Sequence, residues 1–168
     1  IAERKIVRLS DLYAALSRTS AAIIRHTKPQ DLFQQICQIV AELEQVVLVS
    51  INFVDPASGW LESAAHASAT LDHPSPPTLP LLSIDLSLPE GWGPCGIGFR
   101  MGHPVVSNDF LGDINNQPWY EWAQESGIGA AAAFPLRRNN TVVGCLSTYA
   151  AERDFFEEDI TNLLTSLA

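Results

Sequence analysis

Three apolar runs constrain the fold of this chain more than any other feature of its sequence. Residues 46–54, 130–136 and 142–150 are short and almost continuously apolar, and the first is rich in β-branched residues. This pattern is typical of buried strands and too short for amphipathic helices. Five polar residues, 137–141, join the last two runs, which predicts a hairpin. The chain is therefore expected to build an antiparallel sheet.

Helical patterns flank these runs at both ends of the chain. Apolar residues recur at three- and four-residue steps from Leu9 to Ile24, and again from Leu32 to Leu43 after a proline-containing capping pattern at residues 27–30. A closing helix is predicted from an acidic cap over 154–157, with its apolar face running to Leu167. Strands in hairpins with helices at both ends predict an α+β fold, with the helices packed on one face of the sheet.

The segment between the apolar runs is predicted to hold shorter elements. Residues 60–69 are expected to pair with the first strand, and residues 81–88 and 104–106 to form short strands. Four prolines between residues 70 and 80 predict an exposed loop, because proline lacks the amide donor that helices and sheets need. A short helix is expected from Pro118 to Gly127, where glycine would end it.

Charge and cysteine content exclude several classes of protein. Ten Lys and Arg residues stand against nineteen Asp and Glu residues, which gives a formal net charge of −9. Such a field repels polyanions, so we expect no nucleic-acid partner. Cys37, Cys95 and Cys145 are too few and too widely spaced for a disulfide framework or a zinc site, which favours a reducing, cytoplasmic location. No apolar run approaches the roughly 20 residues that span a bilayer, so no membrane contact is expected of this fragment.

Several short motifs occur together along nearly the whole chain. Residues 12–19 and 32–37 open the first two predicted helices, and residues 93–106 read GPCGIGFRMGHPVV. Asn108-Asp109, Pro118-Trp119, residues 133–137 and residues 143–146 follow. In combination they resemble the GAF domains of multi-sensor diguanylate cyclases, cyclic-di-GMP phosphodiesterases and sensor kinases.

This resemblance implies a PAS-related antiparallel sheet of five or six strands, with terminal helices on one face and a ligand pocket on the other. It also implies a single domain over 1–168. Residues 1–27 would form a signalling and dimerisation helix, 28–153 the sheet and pocket, and 154–168 a helix leading to an output domain in the same chain. A homodimer through the terminal helices is expected. No single ligand is implied, because members bind cyclic nucleotides, haem, bilins, oxoacids or nothing known.

Aromatic and polar residues in the middle third of the chain are the candidate ligand-binding residues. An aromatic cavity with a few polar groups is what small-molecule sites require, although core packing or turn closure would also explain these residues. The candidates are Trp92, Cys95, Phe99, Asn108, Asp109, Trp119 and Trp122.

Two further patterns are better explained by structural roles than by ligand binding. Residues 91–96 match G-x-G-x-x-G, but no strand precedes them and Pro94 removes an amide, so we interpret the glycines as tight turns under a pocket lid. No two histidines have metal-ligand spacing, so no metal site is expected. Haem ligation by His66 is a minor alternative, since one proximal histidine suffices in some haem proteins.

Catalysis is not expected from the sequence. Cys37 and Cys145 lie in apolar patterns, which leaves Cys95 as one exposed loop thiol without a resolving partner. Some free-standing GAF proteins reduce free methionine sulfoxide with loop cysteines, but this arrangement predicts that the chain is not an enzyme.

Three functions remain open at this point. A sensory module, in a bacterial protein that controls cyclic-di-GMP synthesis or hydrolysis, would have an enclosed cavity with polar groups. A purely structural dimerisation module would have a pocket filled by the protein's own side chains. A reductase would have two cysteines within disulfide reach, with Cα atoms less than about 7 Å apart.

Overall fold

The computed structural model describes residues 28–69 and 78–168, together with Ala14, Ser17 and Arg18, which are helical. The helices are α1 (Pro29–Ala41), α2 (Pro94–Met101), α3 (Tyr120–Ser126) and α4 (Glu158–Leu167). The strands are β1 (Val46–Val54), β2 (Trp60–Ser68), β3 (Leu82–Ser83), β4 (Val105–Ser107), β5 (Ala130–Arg138) and β6 (Thr141–Ala150). The apolar face predicted for the N-terminal helix lies outside the described residues, as does most of the predicted proline loop.

The six strands form one sheet in the order β3-β2-β1-β6-β5-β4, with every neighbouring pair antiparallel. The predicted α+β class and antiparallel sheet are therefore confirmed. The three apolar runs became β1, β5 and β6 at the centre of the sheet. Their nearly continuous hydrophobicity follows from burial on both faces. Residues 81–88 contribute only the two-residue edge strand β3.

Two separate cores cover the two faces of the sheet. Helices α1 and α4 pack on the first face through residues such as Ile39, Val40 and Leu164, which are all buried. The second face is covered by α2, α3 and three 3-10 helices at Pro89–Gly91, Phe110–Gly112 and Ile114–Trp119. We call these short elements on the second face, together with β3, the lid.

Glycine and proline determine where the lid helices begin and end. Pro94 stands in the first turn of α2, where its missing amide costs nothing, and Gly102 ends that helix with φ 73°. Gly127 ends α3 in the same way with φ 72°. Helix α2 runs for eight residues, about two turns, which agrees with the one or two turns predicted there.

The closing helix starts later than predicted. Helix α4 begins at Glu158, and its N-cap is Glu157, which lies within the predicted acidic cap. Phe155 and Phe156 precede the helix and are buried in the first core, with their rings in edge-to-face contact at 5.1 Å. None of the helices in the described residues is both long and apolar enough to cross a membrane.

Gly144→Ala is expected to destabilise the centre of the sheet. A Cβ at position 144 in β6 would overlap the backbone of Asn52 and Phe53 in β1. We expect a loss of about 2 kcal/mol or more in unfolding free energy, measured by urea denaturation.

Gly98→Ala in α2 is the matched control. Its Cβ would lie 3.4 Å from the His103 carbonyl oxygen and in ordinary contact otherwise, while alanine favours the helix by about 1 kcal/mol. Equal losses in the two variants would contradict this account of Gly144.

Candidate functional site

The lid and the second face of the sheet enclose a small chamber of about 10 Å³, enough for one water molecule. Lid elements form its roof, and residues of β5 and β6 form its floor. The lining residues are Leu82, Pro94, Cys95, Phe110, Trp119, Trp122, Ala131, Ala132, Ala133, Ser147 and Tyr149.

Two tryptophans form the aromatic roof, and each is anchored by its indole N–H. Trp119 Nε1 donates to the Leu81 carbonyl at 2.9 Å, and Trp122 Nε1 donates to the Thr78 carbonyl at 2.7 Å. The Trp122 ring also meets Tyr149 edge to face, with centroids 5.1 Å apart. Because both anchors lie in residues 78–81, the roof and the approach to β3 form one connected unit.

Gly93 allows the roof to close. A Cβ at this position would lie 2.5 Å from two carbon atoms of the Trp119 ring. Any side chain larger than hydrogen would therefore displace the indole. Gly96 has a similar role beneath the lid, because its Cβ would overlap the Gly91 and Ser83 carbonyls. The G-x-G-x-x-G pattern thus provides close packing around the chamber.

The floor of the chamber carries a buried polar network. Asn52 Nδ2 donates to Ser50 Oγ at 3.0 Å and to Ser147 Oγ at 3.1 Å. Ser147 Oγ is in turn 2.5 Å from Cys95 Sγ and 3.7 Å from Cys145 Sγ. All five residues are at least 95% buried, so this network places two thiols around one hydroxyl in a dry environment.

The two thiols shift each other's pKa in opposite directions. The neighbouring Cys145 thiol and burial raise the pKa of Cys95 well above its usual value, whereas the Cys95 thiol lowers the pKa of Cys145. Burial raises the pKa of Tyr149 strongly as well. Of the pair, Cys145 is therefore the one that loses its proton more readily, and Tyr149 is an uncharged phenol at neutral pH.

A second, open groove lies on the outside of the lid, with a volume of about 590 Å³. Trp92 lies in it with 45% of its surface exposed; its Nε1 donates to the Leu86 carbonyl at 3.0 Å. The Arg100 guanidinium stacks on this ring, 5.6 Å from its centroid. Other residues lining the groove are Pro89, Glu90, Ile114, Asn115, Gln117 and Pro118.

The structure distributes the predicted site residues over three places. Cys95, Trp119 and Trp122 line the chamber, and Trp92 lines the groove. Phe99 is half-buried in α2 and lines neither.

Asn108 and Asp109 lie away from both pockets. Asn108 exchanges two hydrogen bonds with the backbone of Phe156, at 3.0 and 3.2 Å, so it holds the segment before α4. Asp109 is exposed at the start of a 3-10 helix. His66 is exposed on β2 and borders neither pocket.

Sequence reasoning missed the polar floor. Ser50 and Asn52 alternate on β1, and Cys145, Ser147 and Tyr149 alternate on β6. In a strand, alternate residues share a face, so polar side chains at every second position of two buried strands indicate a polar patch on one face of the sheet. Among residues 28–69 and 78–168, no group of three or more His, Cys, Asp or Glu side chains could hold a metal ion.

The fold and the site together define an α+β domain with a small closed chamber on the sheet face opposite α1 and α4. The family model for the GAF domain matches residues 26–168, and the chain belongs to this family. No curated protein matches the sequence.

Solved structures with the same fold include enzymes and regulatory domains. Free methionine-R-sulfoxide reductase from Neisseria meningitidis, in complex with its substrate, is 17% identical, with a TM-score of 0.74 over 93% of this chain and 83% of that one. The type II reductase from Thermoplasma acidophilum is 15% identical, with a TM-score of 0.61 over 89% and 87%. The GAF domain from a phosphoenolpyruvate-protein phosphotransferase of Coxiella burnetii is 13% identical, with a TM-score of 0.72 over 94% and 88%.

The prediction that the chain is not an enzyme is wrong on two grounds. Proteins with this fold include the methionine sulfoxide reductases above. The premise also fails, because Cys95 is a buried residue in the first turn of α2 rather than an exposed loop thiol, and Cys145 shares its hydrogen-bond partner, Ser147 Oγ.

Ser147→Ala is expected to destabilise the domain by about 1 to 3 kcal/mol, because Asn52 and both thiols lose a buried hydrogen-bond partner. The measurement is urea denaturation.

Thr148→Val at the neighbouring position is the matched control. Thr148 Oγ1 is buried with no hydrogen-bond partner in the described part of the chain, so removing it should leave stability unchanged or raise it by about 1 kcal/mol. A loss in the valine variant as large as that in the alanine variant would contradict a specific role for the network.

Proposed function

We propose that this GAF domain is a regulatory module that binds a small uncharged molecule in its chamber. GAF domains are generally regulatory or ligand-binding modules. The observation that carries the proposal is the polar network on the chamber floor. A domain that needed only a filled core would be served as well by apolar side chains, since buried polar groups contribute little stability even when paired.

The uncharged character of the ligand follows from the lining. None of the chamber residues in the described part of the chain carries a formal charge, and the two groups nearest to ionisation, Cys95 and Tyr149, are held neutral by raised pKa values. A buried charge without a partner costs several kcal/mol. A neutral molecule with an apolar body and one hydrogen-bonding group fits an aromatic roof and the Ser147 hydroxyl.

Ligand entry requires the lid to move. The chamber is as small as a pocket filled by the protein's own side chains, which is the arrangement a purely structural module would also have. The floor is made of central strands, whereas the roof consists of short helices whose tryptophans are held by single hydrogen bonds to residues 78 and 81. The roof is therefore the part that can yield to a ligand.

Phenol and benzoate are a matched pair of probes, because they share a ring and differ in charge at neutral pH. We expect phenol to shift tryptophan and Tyr149 resonances in NMR titration and to raise the melting temperature, and benzoate to do neither. Ser147→Ala should weaken phenol binding severalfold, and Thr148→Val should leave it unchanged. Absence of binding, or equal binding of both probes, would contradict the proposal and favour the structural module.

A second part of the proposal concerns the output domain that this module regulates. The motif resemblance supports a place in a bacterial signalling protein whose output domain makes or hydrolyses cyclic-di-GMP. A GGDEF or EAL sequence following residue 168 in the same chain would support this assignment, and a different catalytic domain there would contradict it.

Dimerisation through the N-terminal helix is part of the same proposal. The apolar stripe at Leu9, Leu12, Leu16 and Ile23 lies outside the described residues. Leu163 and Leu164 of α4 pack within this chain's first core, so we assign most of the interface to the N-terminal stripe. Leu12→Glu combined with Leu16→Glu should yield a folded monomer by light scattering. A dimer in this double variant would show that the stripe does not form the interface.

Thiol-dependent reduction of free methionine sulfoxide is a second candidate, favoured by one observation. Cys95, which lines the chamber, and Cys145 share one hydrogen-bond partner, Ser147 Oγ. The neutral lining counts against it, because a free amino acid carries an ammonium and a carboxylate.

An assay with free methionine-R-sulfoxide and a dithiol reductant decides this second candidate. Turnover that is lost in Cys95→Ser and Cys145→Ser but kept in Cys37→Ser would establish it. Rates equal to the buffer in the wild type would remove it.

A further inference from the structure

We propose that Cys95 and Cys145 are a modification site, at which hydrogen peroxide forms a reversible disulfide that fastens α2 to β6. Both sulfurs lie within hydrogen-bonding distance of one oxygen, Ser147 Oγ, at 2.5 and 3.7 Å. They come from different elements, the first turn of the lid helix and a central strand. A bond between them would therefore join the roof of the chamber to its floor.

The surroundings decide which oxidant can reach the pair. Cys95 lines the chamber, which has room for about one water molecule. Hydrogen peroxide is only slightly larger than water and carries no charge, so it suits this closed and neutral space. Cys145 is the more acidic thiol of the pair, and the thiolate is the nucleophile in such an oxidation.

The chemistry is balanced with peroxide as the two-electron oxidant. One sulfur attacks a peroxide oxygen, the O–O bond breaks, and a sulfenic acid and a water molecule result. The second sulfur then attacks the sulfenic sulfur, the S–S bond forms, and the sulfenic oxygen leaves as a second water. Each of the two water molecules takes up one thiol proton. Two thiols and one peroxide thus give one disulfide and two waters, and a dithiol reductant reverses the change.

Cys37 provides an internal control. It is fully buried, but in the core on the other face of the sheet, where burial raises its pKa to about 12. It shares the burial of the other two thiols and lies outside their network. A disulfide that formed through general unfolding would involve Cys37 as readily as the pair.

The test uses the whole chain, reduced and then treated with hydrogen peroxide. Free thiols are afterwards blocked with N-ethylmaleimide in denaturant, and the mass is measured. The reduced protein should take up three labels, one for each cysteine, and the oxidised protein one, on Cys37, with peptide mapping locating a Cys95–Cys145 link. Cys37→Ser should still form the link, whereas Cys95→Ser and Cys145→Ser should not.

Three results would overturn the proposal. These are three labels after peroxide treatment, a disulfide that includes Cys37, and oxidation that a dithiol reductant does not reverse. A folded-state check by circular dichroism on each serine variant separates loss of the link from loss of the fold.

The effect on ligand binding rests on the proposed function, and the two are separable. A disulfide holds α2 against the sheet, so the lid cannot lift, and we expect the oxidised protein to lose the phenol-induced rise in melting temperature. If the disulfide forms but phenol still binds as before, the disulfide does not control access to the chamber. No disulfide with intact phenol binding would overturn the modification site and leave the proposed function standing.

Discussion

The pairing of β1 with β6 is the interaction on which the rest of this structure depends. These strands lie at the centre of the six-stranded order and are buried on both faces along most of their length. Their pleat sends alternate side chains to opposite sides, so one pair of strands supports two different environments. Ile51 and Leu146 serve the helical core, while Asn52, Cys145 and Ser147 form the polar floor. Gly144 allows the two backbones to approach closely enough for this to happen.

Burial on both faces also explains which parts of the fold could be predicted from sequence. Strands 46–54 and 141–150 can be recognised in the sequence as nearly continuous apolar runs, because both of their faces are buried and need hydrophobic residues. The start of α4 could not be found in this way. Glu157, within the predicted acidic cap, is the N-cap of α4. The local sequence did not show that Phe155 and Phe156 lie before the helix and pack in the core.

The candidate site was predictable for its aromatic roof and for Cys95 as a single residue. Trp119 follows asparagine and proline, where a large ring marks a pocket or lid, and Trp122 lies at helical spacing from it. The thiol pair gave no such signal, because Cys95 and Cys145 are fifty residues apart, Cys145 resembles a small buried hydrophobe and Cys95 resembles an exposed loop thiol. Only the lid helix folding back onto the sheet brings them together. For Asn108, the position after a strand suggested a ligand contact. In the structure, its side-chain amide and oxygen are both hydrogen-bonded to the backbone of Phe156.

That use of Asn108 gives the domain a mechanical linkage. Its side chain ties the end of β4 to the residues immediately before α4, and Asp154 N–H adds a bond to the Asn108 carbonyl. Phe110, two residues further along the chain, lines the chamber. A chamber occupant that displaced this ring would therefore also act on the segment that precedes α4. Helix α4 is thus connected to the chamber through the residues that follow the edge strand β4.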